Sequence, residues 1–350
     1  MKNVLIVKPS ALGDIVQATC VLPALKSAFP GIRITWLTFE HNAEIVRDHP
    51  LIDGVISIRR KGGLLRTLPG LVRSLRDPEF DTIIDLQCLL RSAILSRLTG
   101  CARRIGFADG REQATLFYTE KYDIPVHAMH AVDRYLTLCE RLGAALSIET
   151  TFPVPVRDAH RARISALLAD FARGELLVAM CPTAKWQSKQ WPAASFAAVA
   201  DILAHRCNAK VVLLGSPSET EIVADVAARM THECLDLSGR VSLMELAALF
   251  ERADLFVGND SGLMHLASAT RTPTAAIFGP TDPARTGPYN PHARAIKLHL
   301  ECMPCFKRAC ESLRCMKELT VQTVAGACED ILSQAWKRRE NGRDRASLPR

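Results

Sequence analysis

The stretch IVKPSALGDIV, residues 6 to 16, sets a carboxylate in a strand-to-helix turn. The apolar strand Val4–Val7 runs through it into a helical pattern of Ile15, Val16, Ala18, Leu22 and Leu25. Turns of this kind often gather backbone N–H groups around a phosphate, and Asp14 would repel one. The residues alone leave open why a carboxylate stands there, a helix cap being its simple structural account. A second chemical segment is LFVGNDSGLMHLASATRTPTAAIFGPTDP, residues 255 to 283. There a strand ends at Gly258–Asn259, and Asp260, Ser261 and Gly262 open a helix carrying His265. Asp260 or Ser261 can cap that helix, and its free N–H groups offer an anion site with Gly262 permitting close approach. The FGPTDP loop follows on the same rim.

Two more strand ends add charge. PTAKWQSKQWP, residues 182 to 192, brings Lys185 and Lys189 before a helix, and Ser216-Pro217-Ser218-Glu219 puts an acid at the mouth of the next one. Such an acid can accept hydrogen bonds from a ribose diol or complement the helix dipole. Singly, each of these residues has an ordinary structural account. Consecutive strand ends supplying two bases, an acid and an anion nest are harder to explain that way.

The elements that must position these groups are short Val- and Ile-rich runs alternating with helical patterns. Strands are expected at Val4–Val7, Arg33–Phe39, Val55–Ile58, Thr82–Leu86, Arg104–Phe107, Leu176–Cys181, Val211–Gly215, Leu255–Val257 and Thr274–Phe278. Helices are expected near 15–28, 42–48, 64–76, 89–98, 130–142, 195–206, 218–230, 242–252 and 321–337. This alternation predicts an α/β protein of parallel sheets covered on both faces. The series restarts after Pro153–Pro155, which predicts two doubly wound, Rossmann-like domains, 1–157 and 158–338, facing across a cleft. The polar tail 339–350 is expected to be disordered.

At 350 residues the chain has room for two cores. Its apolar share of 48% and charged share of 23% are those of an ordinary globular protein. A net charge of +7 fits an anionic substrate or an acidic membrane surface, and nucleic acid is not expected as a partner. The 12 cysteines follow no export signal and read as reduced thiols, which places the protein in the cytoplasm. No G-x-G-x-x-G, no P-loop, no H-E-x-x-H, no G-x-S-x-G and no Asp-x-Asp pair occurs, so a bound diphosphate would be neutralised by helix termini and basic side chains.

Taken together, SALGDIV, HAVDRYLTLCERLG at 130–143, SKQWP at 188–192, NDSGLMHLASA, FGPTDP and CMPCFKRACESLRCM at 302–316 resemble the ADP-heptose:lipopolysaccharide heptosyltransferases. These form glycosyltransferase family 9, and the likeness covers nearly the whole chain. It implies the GT-B fold and inverting transfer of heptose from ADP-L-glycero-D-manno-heptose to a Kdo or heptose acceptor on the anionic lipid A core. It also implies an acceptor-binding N-terminal domain and a nucleotide-sugar-binding C-terminal domain. Asp14 would be the catalytic base; Lys189 would meet the donor diphosphate and Glu219 the adenosine ribose. Asp260, Ser261, Gly262 and His265 would line the donor pocket. Ala184 and Lys185 stand where first-heptose enzymes carry hydroxyl residues, so Lys185 would supply charge there.

Gly13, Arg59, Arg60 and Lys61 are the candidate acceptor contacts, with Arg103 and Arg104 a second basic patch. No cofactor or metal is expected. Cys302, Cys305, Cys310 and Cys315 have a C-x2-C-x4-C-x4-C spacing that is no standard zinc ribbon; they read as structural thiols, with a metal or a disulfide the competing accounts. Peripheral contact with the inner membrane's cytoplasmic face is compatible with such an acceptor. The competing functions are a GT-B-like sugar-nucleotide epimerase and a non-catalytic glycan or nucleotide binder.

Overall fold

The computed structural model describes residues 1–59, 64–146 and 150–340, with 64–68 and 338–340 described by their backbone alone. The chain divides into two compact units, Met1–Pro155 and a second that begins at Val156.

The first unit is a six-stranded sheet of β1 (Asn3–Val7), β2 (Arg33–Phe39), β3 (Gly54–Ile58), β4 (Thr82–Asp85), β5 (Arg104–Phe107) and β6 (Glu120–Tyr122). All pairs are parallel, in the order β3-β2-β1-β4-β5-β6. Val4 to Val7 are buried without residue because helices cover both faces of β1. Those helices are α1 (Leu12–Ala18), α2 (Val21–Ala28), α3 (Leu64–Arg76), α4 (Leu90–Leu98) and α5 (Ala131–Arg141). His130 caps α5, its ring Nδ1 accepting from the Val132 N–H at 3.1 Å.

The second unit repeats the plan. Its strands are β7 (Leu176–Cys181), β8 (Ala209–Leu213), β9 (Cys234–Asp236), β10 (Leu255–Asn259), β11 (Thr274–Ile277) and β12 (Ala293–Ile296). They lie parallel in the order β12-β11-β10-β7-β8-β9. Around them run α6 (Asp158–Leu168), α7 (Ala193–Cys207), α8 (Thr220–Arg229), α9 (Leu243–Arg252), α10 (Gly262–Ala269), α11 (Pro283–Thr286), α12 (Arg314–Lys317) and α13 (Val321–Glu340). A reciprocal box starts α9: Ser242 Oγ accepts from the Glu245 N–H, and Glu245 accepts from the Ser242 N–H at 2.7 Å. Asn208, at φ 50°, closes α7 in the left-handed conformation.

The α/β class is therefore as expected, and the local differences have physical causes. The helix expected over 15–28 is two, α1 and α2. Pro23 has no N–H to give the Thr19 carbonyl, and the Thr19 hydroxyl turns back onto the Val16 carbonyl at 2.7 Å. The helix expected at 42–48 is a 3-10 segment, Glu40–Ile45. The edge strands β6, β9 and β12 were absent from the expectation. α13 extends to Glu340, past the expected start of the tail; residues 341–350 lie outside the described ones.

Candidate functional site

In each sheet the connections run outward in opposite directions from one central pair, β1/β4 in the first and β7/β10 in the second. Loops diverge at the carboxyl ends of such a pair and leave a crevice for ligands. Asp14 follows β1, and Lys185, Lys189 and Asp260 follow β7 and β10; Glu219 follows the neighbouring β8 and Arg59 the outer β3.

After β7 comes the loop with Lys185 and Lys189; after β10 comes Asp260. The Lys189 ammonium reaches the Asp260 carboxylate at 2.6 Å, and the Thr281 hydroxyl donates to the same oxygen at 2.6 Å. These short contacts are charge-assisted and buried, with Asp260 only 6% exposed. Asn259 ties the strand end to the β7 loop, accepting from the Trp191 N–H at 3.1 Å and donating to the Pro182 carbonyl at 2.8 Å. Asp260 is thereby held against Lys189 and leaves capping to Ser261, which accepts from the Met264 N–H at 3.5 Å. Gly262 opens α10 and His265 is buried one turn on. The Lys189 ammonium also lies 4.5 Å from the Trp186 ring centroid, whereas Lys185 is exposed.

Glu219 stands at the mouth of α8, half-buried. One carboxylate oxygen accepts from the Ser216 N–H at 2.8 Å; the other accepts no hydrogen bond among the described residues.

Sequence reasoning missed Thr281, Trp186 and a strap across the rim. The Cys305 and Phe306 N–H groups donate to the Pro280 carbonyl at 3.0 and 2.8 Å. Ser188 donates through its hydroxyl to the Lys307 carbonyl at 2.6 Å, and Arg308 sits 5.3 Å from the Trp186 ring. The segment thus fastens the Lys189 loop to the Thr281 loop. Its sequence signals were the CMPCFKRACESLRCM stretch and its cysteine spacing, neither of which showed a strap. All twelve cysteines are unpaired thiols, and no three His, Cys, Asp or Glu side chains among the described residues group as a metal site. Burial pushes the Cys315 thiol up, reinforced by Cys305, Cys302 and Cys310 nearby.

In the first unit Asp14 lies in the first turn of α1, and one of its oxygens accepts from the Ala11 N–H at 3.0 Å. It therefore does brace its own helix, with the other oxygen unbonded among the described residues. Gly13 is buried and Arg59 exposed, interacting electrostatically with Glu40. Arg60 and Lys61 lie outside the described residues. Arg103 is committed to Glu120 at 2.7 and 3.1 Å, and Arg104 donates to the Phe117 carbonyl at 2.7 Å. That leaves them poor candidates for a free basic patch.

The model of glycosyltransferase family 9 (heptosyltransferase) matches residues 70–315. The chain belongs to this family. As a family 9 glycosyltransferase it is an enzyme, and its two parallel α/β sheets are those of the GT-B fold. It is 32% identical over 319 residues to lipopolysaccharide heptosyltransferase 1 of Pseudomonas aeruginosa, covering 88% of this chain and 87% of the relative. It superimposes on the family 9 glycosyl transferase from Veillonella parvula with a TM-score of 0.83 at 25% identity, over 95% of this chain and 97% of that one. The ADP-heptose LPS heptosyltransferase II of E. coli shares the fold at a TM-score of 0.79 and 24% identity, over 95% and 99% of the two chains. Among the described residues no helix of this family 9 enzyme is long and apolar enough to cross a membrane.

Proposed function

We propose that this family 9 enzyme transfers heptose from ADP-L-glycero-D-manno-heptose, with inversion, to a Kdo or heptose hydroxyl on the lipid A core of lipopolysaccharide. The observation that carries the reading is the Lys189–Asp260–Thr281 cluster at the β7/β10 switch point, beside the N-terminus of α10. A cation held there by a buried carboxylate, next to free helix N–H groups, suits a diphosphate. Asp260 keeps Lys189 aimed and takes up part of its charge until the donor arrives. Ser261, Gly262 and His265 line the same pocket. Lys185, exposed on the same loop, adds charge at its mouth. The unbonded oxygen of Glu219 accepts from the adenosine ribose.

In the transfer the acceptor hydroxyl oxygen bonds to the anomeric carbon while the bond from that carbon to the diphosphate oxygen breaks. The hydroxyl proton passes to Asp14 through the oxygen that does not brace α1, and ADP leaves with the bonding electrons. A positioned base contributes ~10²–10⁴-fold to such a step. Lys189 and the α10 N–H groups stabilise the charge growing on ADP. Gly13, Arg59, Arg60 and Lys61 are assigned to the anionic acceptor. The relative from Pseudomonas aeruginosa, lipopolysaccharide heptosyltransferase 1 by name, supports this substrate class.

We assign the enzyme to the cytoplasmic membrane face, where a lipid-borne acceptor would be met. Leu90 and Ile94 on α4 are 37% and 39% exposed, and Leu116 beside them is 74% exposed. The exposed Arg91 and Arg97 share the outer face of α4. Apolar side chains rimmed by arginines fit an anionic bilayer surface.

Purified enzyme given ADP-heptose with Kdo₂-lipid A, or with its heptosylated product, is expected to release ADP with one of them. Release with neither sinks the assignment. Asp14→Asn is expected to bind donor normally and transfer at least ~10²-fold more slowly; near-normal turnover removes Asp14 from the mechanism.

A further inference from the structure

Within the strap, Lys307 and Arg308 are fixed to the Lys189 loop through their backbone. The Ser188 hydroxyl donates to the Lys307 carbonyl at 2.6 Å, and the Ser188 N–H donates to the Arg308 carbonyl at 3.4 Å. Ser188 is only 1% exposed, so this clasp lies in a closed part of the loop. Just before it, the Cys305 and Phe306 N–H groups hold the Pro280 carbonyl next to Thr281. Arg308 is therefore tied by its main chain to the residue preceding Lys189, while the residue itself stays exposed.

The Arg308 guanidinium carbon lies 5.3 Å from the Trp186 ring centroid, and the Lys189 ammonium lies 4.5 Å from the same centroid. One indole thus carries two cations. Each is attracted to the ring singly, but like charges gathered around one ring repel. Lys189 has a counter-charge in Asp260 at 2.6 Å. Arg308 forms no ion pair among the described residues. Two cations against one carboxylate leave a positive charge in excess, next to the strand end that leads into α10. Such a grouping is relieved by an anion that both cations can reach.

We propose that Arg308 is a second donor-binding residue: its guanidinium, laid over Trp186 with the Lys189 ammonium, grips the diphosphate of the nucleotide sugar. The inference rests on the assignment of that diphosphate to Lys189 and deepens it. Lys189, sharing its charge with Asp260, answers one phosphate as a point charge. The planar fork of Arg308 takes the other through parallel N–H bonds. Trp186 is the platform that keeps both cations at the site without a second carboxylate, which would compete with the phosphates. As the bond to the anomeric carbon breaks, the guanidinium stabilises the charge growing on the leaving ADP. The strap thereby has a chemical part beyond fastening two loops.

The test is Arg308→Gln, with Arg308→Lys and with Lys307→Gln, a neighbour that loses the same charge and keeps its carbonyl. KM for ADP-heptose, the affinities for ADP and adenosine, and the melting temperature are read for each. Arg308→Gln is expected to weaken ADP and raise KM for ADP-heptose at least ~10-fold. It should hold adenosine within about twofold and melt with the wild type. Arg308→Lys should recover part of the loss, and Lys307→Gln should bind ADP within about twofold of wild type. Wild-type ADP affinity in Arg308→Gln overturns the proposal. So does an equal loss for ADP and adenosine with a lower melting temperature, which makes Arg308 a fastener of the strap. An equal ADP loss in Lys307→Gln overturns it as well, since the effect is then one of diffuse charge. If Lys189→Met also binds ADP normally, the diphosphate assignment beneath both residues fails. If Lys189→Met is weakened while Arg308→Gln is normal, only the present inference fails.

Discussion

Asp260 draws two donors, Lys189 and Thr281, onto one oxygen in a nearly closed site. Removing a partner from such a pair leaves a buried charge poorly compensated, which costs up to ~3–5 kcal/mol. Lys189→Met is therefore expected to lower the melting temperature and raise KM for ADP-heptose at least ~10-fold; unchanged values of both would detach Lys189 from the donor. Lys189 and Asp260 were legible as candidates because each follows a strand in a turn-rich stretch. Their pairing was not, since 71 positions separate them and only the β7–β10 register brings them together. The choice between Asp260 and Ser261 as the cap of α10 was equally closed to sequence, because both residue types cap helices well. Thr281 was legible only as part of the FGPTDP loop on the rim; its bond to Asp260 was not, because a threonine in a Pro- and Gly-rich loop looks like any turn residue.

At the scale of elements, the buried strands announced themselves through runs such as Val4–Val7 and Leu176–Cys181, apolar on both faces. The edge strands β6 and β9 are three residues each and carry Glu120, Lys121 and Asp236, so no pattern could show. The strap over residues 302–310 has no regular structure and was equally opaque. The α12 turn that follows the strap packs on Gly279, where a Cβ would meet Met316 Sδ at 2.5 Å and Cys315 Sγ at 3.1 Å. Gly279→Val should push α12 away, cost about 1–3 kcal/mol of stability and raise KM for the donor. A normal KM in a folded variant would show that the packing of α12 does not support the donor loops.

For the whole molecule, strand–helix alternation with one restart was enough to read two doubly wound units, because each strand–helix step is local in sequence. Function at this scale concerns where the enzyme meets its acceptor. Co-sedimentation with vesicles of phosphatidylglycerol and phosphatidylethanolamine is expected to fall at least ~5-fold for a Leu90→Ser, Ile94→Ser, Leu116→Ser variant, and to weaken with salt in the wild type. Equal sedimentation by both proteins would discard this face as the membrane contact.

The two sheets share one strand order, and the core clusters traced in them each stay within one unit, one built on Leu5, Val7 and Ile83 and the other on Val178, Val211 and Val257. A substitution inside either cluster therefore perturbs packing that is completed within its own unit. On the roles proposed above, a lineage could remodel the loops after β1 and β4 for a new acceptor while the loops after β7 and β10 kept their contacts to the nucleotide. The chain is, in that sense, one plan written twice, each copy open to change in its own core and loops.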